Sequence, residues 1–304
     1  MMRQRDSSAS LESLCGLFGL TRQAFYEAQI HERKTSIANM VVLQMVKDLR
    51  DVMPLLGTRK LYNELTVALD EHGIKMGRDQ LFDLLRFHGL LVRRRKRMIR
   101  TTDSHHWFKK YPNLTKGLIV TESEQLWVGD ITYIRTMQGF CYLSLITDAY
   151  SRKIVGHALW PTLEALGCIE ALEIAVGGRK KFSNYLIHHS DRGIQYCSAA
   201  YVSILDQAAI DISMTQSGSP YENALAERVN GIIKNEFYPF RIYQNYKDAK
   251  KGIQKIIEIY NKRRPHASLD FLTPENAHSL SGPINKRWKT YPWRRKANSE
   301  KNND

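Results

Sequence analysis

The sequence predicts an α/β domain built on a mixed five-stranded sheet, preceded by all-α segments. Three observations lead there. From Glu124 onward, short runs rich in β-favouring residues alternate with helical patterns, in the order β-β-β-α-β-α-β-α. Residues 11–90 instead repeat apolar side chains at three- and four-residue steps, the period of helices. Between the two parts lies a dense basic run, Arg93-Arg-Arg-Lys-Arg97.

The helical part comes first. Residues 11–30 hold two short helical patterns flanking Gly19, with Thr21 as N-cap of the second. This is a helix-turn-helix signal, and Arg22, Gln23 and Tyr26 would face outward toward a DNA groove. An ordinary helical hairpin explains the apolar positions alone. Residues 36–53 form a long helical pattern ended by Pro54. Further helices start at Gly57 and Gly77, with a turn around Gly73, and resemble a second helix-turn-helix whose last helix opens with Arg78 and Asp79. The basic run Arg93, Arg94, Arg95, Lys96 and Arg97, followed by Arg100, suits tracking of a phosphate backbone. Residues 101–123 read as a polar linker, in which His105 and His106 are solvent-facing neighbours with poor metal-ligand geometry.

In the α/β part, strands are expected at Leu126–Thr136, Cys141–Ala149 and Lys153–Trp160, joined closely enough to pair antiparallel. A helix over Leu163–Val176 ends at Gly177-Gly178. Then follow a strand Tyr185–His189, a helix Ala199–Ala209, a strand Asp211–Thr215 and a helix Glu222–Phe237. An amphipathic basic helix spans Tyr246–Arg263 and leads into Arg264-Pro-His. The tail interleaves Lys286, Arg287 and further cations with Trp288, Tyr291 and Trp293, a composition suited to backbone contact plus base stacking. The expected domains are 1–34, 35–100, the linker 101–123, the α/β domain 124–280 and a basic tail 281–304.

The 304 residues carry a formal net charge of +14, which calls for a polyanionic partner, most simply nucleic acid. The four cysteines, Cys15, Cys141, Cys168 and Cys197, lack zinc-ligand spacing and read as buried thiols in a reducing compartment. No apolar run approaches the ~20 residues of a membrane span, and residues 1–8 show no signal-peptide core. No membrane partner and a cytoplasmic location are expected.

Three acids carry the functional reading. Asp130 lies in the first strand, Asp191 just past the end of a later strand, and Glu227 on a helix; thirty-five residues separate the last two. An acid inside an apolar strand is costly unless something compensates it. Gly193, two residues after Asp191, lets backbone approach a ligand. If the two strands stand side by side, the acids converge, and grouped carboxylates call for a hard cation such as Mg²⁺. Asp148, on the second strand, is the competing acid. It reads as structural, bonded to Ser151 or Arg152.

The segments Trp127-Val-Gly-Asp130-Ile-Thr-Tyr-Ile, Asp148-Ala-Tyr-Ser-Arg-Lys-Ile-Val-Gly156, His189-Ser-Asp191-Arg-Gly-Ile-Gln-Tyr196, Asn223-Ala-Leu-Ala-Glu227 and Tyr260-Asn-Lys-Arg-Arg-Pro265 closely resemble bacterial insertion-sequence transposases of the IS-three family. The resemblance covers most of residues 11–280. It implies a retroviral-integrase-type, RNase H-like core with Asp130, Asp191 and Glu227 as a metal-binding catalytic triad. It also implies two Mg²⁺ ions, with Mn²⁺ as a substitute. The family's basic residue seven positions after the Glu matches Lys234, on the same helical face, where it would grip a DNA end. Asn223 and His189 are expected in support, His189 through a hydrogen bond to Asp191. Arg264 joins the expected DNA contacts. Glu222, where the family often has Asp, and the extra imidazole of His188 are small departures.

The expected function is that of a DDE transposase: metal-dependent cleavage at the 3′ ends of an insertion sequence, then strand transfer into target DNA. The expected partners are double-stranded DNA, both terminal inverted repeats and target, and further copies of the chain. Because family members often come from two overlapping frames and no sustained heptad is present, an upstream-frame partner protein is a further expectation. A location on the bacterial nucleoid follows. Two rivals are a catalytically silent, domesticated DNA-binding regulator and a structure-selective nuclease on the same fold.

Overall fold

The computed structural model describes residues 11–92, 109–182, 185–216, 223–237 and 242–285. The chain divides into two compact units, Met1–Arg95 and Lys96–Asp304.

The first unit is helical. Helix α1 (Leu11–Leu17) turns at Gly19, whose φ of +62° favours glycine, into α2 (Arg22–Val52). Thr21 caps α2 as expected, its hydroxyl accepting from the Ala24 amide at 3.1 Å. The 31-residue α2 runs without a break through residue 34, where the sequence reading drew a domain boundary. The polar stretch His31-Glu-Arg-Lys-Thr35 has no apolar period to signal a helix, yet contains nothing that stops one. Helix α3 (Thr58–Glu71) buries Leu61, Leu65 and Leu69, and α4 (Arg78–Phe87) buries Leu81 and Leu85. Each Leu fully withdrawn from water contributes roughly 1.5–3 kcal/mol. The two helices are the expected second helix-turn-helix.

The second unit is a five-stranded mixed sheet in the order β3-β2-β1-β4-β5. Its strands are β1 (Leu126–Thr136), β2 (Gly139–Asp148), β3 (Ile154–Trp160), β4 (Leu186–Ser190) and β5 (Ile210–Met214). β1, β2 and β3 pair antiparallel, whereas β4 runs parallel to β1 and β5 parallel to β4. The period-2 pattern of β1 sends Trp127 to one face of the sheet and Leu126 and Val128 to the other. Trp127 packs with α5 (Ala165–Gly177) and α6 (Ala199–Gln207), among Cys168, Ala171, Leu172, Tyr201 and Leu205. Val128 and Leu126 pack with Ile187 and with Ala226 of α7 (Ala224–Ile232). Close approach of α5 requires Gly156 on β3, because a Cβ there would stand 2.0 Å from the Ala171 carbonyl oxygen.

The edge of β3 is covered rather than exposed. Helix α8 (Tyr246–Arg263) runs beside it, burying Ala249, Ile253, Ile257 and Tyr260. At one end Tyr246 Oη donates to Leu159 O at 2.8 Å. At the other, the Asn261 amide both accepts from Ile154 N and donates to Ile154 O, each at 2.9 Å. Those bonds occupy strand groups that another chain could otherwise pair with. All four cysteines are buried and free. Among the described residues, no helix is long and apolar enough to cross a membrane.

Candidate active site

The site begins with strand register. β1 and β4 pair in parallel as Leu126↔Ile187, Trp127↔His188 and Val128↔His189. Two residues further along each strand comes a carboxylate, Asp130 on β1 and Asp191 just past the end of β4. Equal steps along neighbouring parallel strands bring both acids to one level of the sheet.

Helix α7 supplies the third acid, and two asparagines dock it. Asn223 Nδ2 donates to Gly129 O at 3.0 Å, and Asn230 Nδ2 donates to Asp130 Oδ2 at 2.8 Å. Asn223, Glu227 and Asn230 are spaced four and three apart, so they share one helical face. Anchoring the flanking turns on Gly129 and Asp130 holds Glu227 against the same strand.

The electrostatics agree with this convergence. Burial first, then the negative charge of Asp191, push the half-buried Asp130 carboxyl up to about 7. Glu227 adds to the push, while the Asn230 bond and the Ile131 amide oppose it. Asp191 is fixed separately: Gly193 N donates to its Oδ1 at 3.0 Å. A Cβ on Gly193 would also stand 3.0 Å from that oxygen, so glycine is required there. Arg192 braces the same corner through Thr215 O and Gln216 O, both at 2.6 Å.

Among the described residues, no three His, Cys, Asp or Glu side chains stand as a group able to hold a metal ion. The three acids share a charge field without a formed coordination sphere, as expected of like charges with no cation between them. Their chemistry nevertheless fits a hard divalent ion: all three offer carboxylate oxygens. The Asn223 and Asn230 Oδ1 atoms, buried beside β1 with no hydrogen-bond partner, are acceptors suited to ion-bound water.

The remaining expected residues divide. Lys234 lies on a π-turn (Ile233–Phe237) that continues α7, so the expected unbroken α-helix to Phe237 does not form. Its Nζ rests 3.5 Å above the Tyr133 ring, and burial lowers its pKa. Arg264 is a correction: it is 1% exposed and meets Glu236 through two 2.9 Å bonds, with His266 at 2.8 Å. A buried, fully engaged guanidinium does not reach a DNA phosphate. His189 Nδ1 is bonded to Ser213 Oγ at 2.8 Å, tying β4 to β5 rather than supporting Asp191 through that atom. Asp148 is structural, as expected, accepting from Glu124 N at 2.7 Å and from Ser151 N and Oγ at 2.8 Å each. Arg22 and Gln23 are exposed, and Arg78 is exposed beside Asp79 at 2.8 Å. Arg93, Arg94, Arg95, Lys96, Arg97, Lys286 and Arg287 lie outside the described residues.

Two features were not anticipated. Asn230 is the closest protein partner seen for Asp130, and its only signal was the three-residue step from Glu227. Beneath the acids, His188 Nε2 meets Tyr201 Oη at 3.0 Å, and burial pushes this imidazole down to about 3, leaving it neutral.

Known proteins share this arrangement of sequence. The integrase core domain family matches residues 120–220, and a second integrase core domain family matches residues 208–274. The insertion element IS600 uncharacterized 31 kDa protein of Shigella sonnei is 34% identical, over 86% of this chain and 96% of its own length. The chain belongs to the insertion-sequence transposases. A transposase for insertion sequence element IS629 of Shigella sonnei is 31% identical over 73% of each chain. Transposase InsF for insertion sequence IS3A of Escherichia coli K12 is 26% identical over 90% of this chain and 96% of its own. For a transposase, the sheet described above is the integrase-type, RNase H-like core, and the chain acts in polynucleotidyl transfer.

Proposed function

We propose that this transposase cuts the 3′ ends of its insertion sequence and joins them to target DNA, with Asp130, Asp191 and Glu227 as the catalytic and metal-binding acids. The observation that carries the reading is the field those acids share, which pushes Asp130 up to about 7. Such a field is costly without a cation and useful with one. Two divalent ions, Mg²⁺ or in its place Mn²⁺, would supply Lewis acidity and lower the pKa of an attacking water or hydroxyl.

The chain's own residues orient this chemistry. Asn230 fixes one oxygen of Asp130, Gly193 N fixes one oxygen of Asp191, and Asn223 holds the turn before Glu227. Water attacks the phosphodiester at the element's end, and the strand leaves with a free 3′-hydroxyl. That hydroxyl then attacks a target phosphate in line, releasing the target's own 3′ oxygen. Lys234 supplies positive charge on the helix of Glu227.

The DNA substrates are the terminal inverted repeats and the target duplex. Arg22, Gln23 and Arg78, exposed at helix starts in the first unit, are their proposed contacts there, joined by the basic residues 93–97, Lys286 and Arg287. A second copy of the chain is supported by α2, where Tyr26, Ile30, Ile37 and Met40 are exposed at steps of four, seven and three. An upstream-frame protein is the other proposed partner, and the bacterial nucleoid the proposed location.

The test is 3′-end joining by Asp130→Asn, Asp191→Asn and Glu227→Gln with Mg²⁺ or Mn²⁺. Loss in all three is expected, and retained joining in any one overturns its assignment. Tight end binding with no metal-dependent cleavage by the wild-type chain would establish the regulator instead.

A further inference from the structure

The antiparallel half of the sheet carries an aromatic row that the acid site does not use. Tyr133 on β1 lies directly opposite Tyr142 on β2, and Tyr142 directly opposite Trp160 on β3. Residues paired in this way project from the same face of a sheet. Phe140 shares that face and meets Tyr133 edge to face, with ring centroids 5.4 Å apart at 81°.

Burial grades along the row. Trp160 is held at the inner end, its indole N–H donating to Glu170 Oε2 at 2.5 Å. Tyr142 is half-buried, whereas Tyr133 and Phe140 are 46% and 53% exposed. Two large rings left to water on adjacent strands cost solvation free energy in the free protein unless a ligand covers them.

The position of the row says which ligand. Tyr133 stands three residues beyond Asp130, roughly 10 Å along the strand. Pairing of β1 with β4 ends at Val128, so among the described residues that side of β1 carries no strand next to Tyr133. Lys234, on the helix that carries Glu227, has its ammonium over the Tyr133 ring. A cation beside exposed aromatic faces is the combination that holds a nucleic-acid strand, phosphate on the cation and base on the ring. In a duplex the base faces are already stacked, so only an unpaired base can use the rings.

We propose that Tyr133, Phe140 and Tyr142 form a stacking platform for unpaired bases of the DNA strand whose phosphate lies at the acids. The platform favours a frayed or single-stranded end over a closed duplex, and its preference is for strand state rather than base identity. This inference rests on the reading of the chain as a DNA-joining transposase.

The experiment compares a blunt duplex with the same duplex bearing an unpaired 3′ end that contains 2-aminopurine, using the full chain. The variants are Tyr133→Leu with Phe140→Leu, which keep apolar volume and remove the rings, and Tyr133→Trp, which keeps a ring. Wild type and Tyr133→Trp are expected to bind the unpaired end more tightly and to quench the probe. The double Leu variant is expected to lose about 10-fold or more in affinity for the unpaired end, since stacking is worth ~1–3 kcal/mol per base, with blunt-duplex affinity and melting temperature unchanged. Equal affinity of wild type and the double variant for the unpaired end overturns the proposal. So does a change of oligomeric state in light scattering, which would make the face a contact between copies. Failure of wild type to bind either DNA would overturn the transposase reading and the platform together, whereas binding without strand preference overturns the platform alone.

Discussion

Asn230 Nδ2 lies 2.8 Å from Asp130 Oδ2, joining the helix of one proposed catalytic acid to the strand of another. This contact serves two purposes. It positions α7 on β1, and it stabilises the ionised form of a carboxyl that burial and Asp191 push the other way. Asn230→Ala removes a donor to the charged form, so the Asp130 pKa rises. The expected outcome is a 10–100-fold loss of end joining, in the range seen when groups supporting a metal site are removed. The acid limb of the pH–rate profile moves to higher pH. An unshifted profile would reduce Asn230 to a helix anchor.

The raised Asp130 carboxyl makes metal-free stability depend on pH. Its ordinary value is 3.8 and its folded value about 7, so between them the folded chain holds a proton that the unfolded chain has released. That contribution is complete below the unfolded value and is lost as pH rises through about 7. Asp130→Asn removes the titration, and at pH 8 without divalent metal it is expected to melt higher than wild type, by roughly 2–3 kcal/mol in stability. Added Mg²⁺ or Mn²⁺ is expected to stabilise wild type more than the variant. Parallel melting curves from pH 5 to pH 8 would contradict the shift.

Arg264 offers a sharp separation of structure from DNA contact. Removing one partner of its buried pair with Glu236 leaves a desolvated charge, which costs about 3–5 kcal/mol. Arg264→Ala is therefore expected to lower the denaturation midpoint strongly. Well below that midpoint, its DNA affinity and the salt dependence of binding stay as in wild type. A reduced salt slope with unchanged stability would return Arg264 to the DNA surface.

Gly156→Ala tests the packing of α5 on β3. A methyl group placed 2.0 Å from the Ala171 carbonyl forces helix and strand apart. The expected cost is about 1–3 kcal/mol or more, read by chemical denaturation. Gly231→Ala, whose Cβ would meet nothing closer than Asn235 Nδ2 at 3.8 Å, serves as the tolerated control.

The strands and the three acids were legible because their signals are local. Leu126–Thr136 alternates strongly enough that both ends of β1 were anticipated, and each acid sits in a recognisable run. The neighbourhood of β1 and β4, on which the convergence depends, entered only as a condition that the parallel pairing now meets. Asn230 was overlooked because an asparagine on a helix reads as a solvent-facing residue until the opposing strand is known. Arg264 misled for the opposite reason: charge suggests a surface, and only the fold brings Glu236 within 2.9 Å. The continuity of α2 escaped because a polar stretch interrupts the apolar period without interrupting the backbone.

The π-turn Ile233–Phe237 changes what a deletion means in this chain. A π-turn carries one residue more than an α-turn. Removing a single codon there would keep the reading frame and the helix, yet rotate everything downstream by about 100° relative to α7. Glu236 would leave Arg264, and α8 would lose a buried tether that fastens it to the Glu227 helix. Loss of a codon on the exposed α2 would shift surface phase alone, so tolerance to length change in this molecule should follow helix phase rather than exposure.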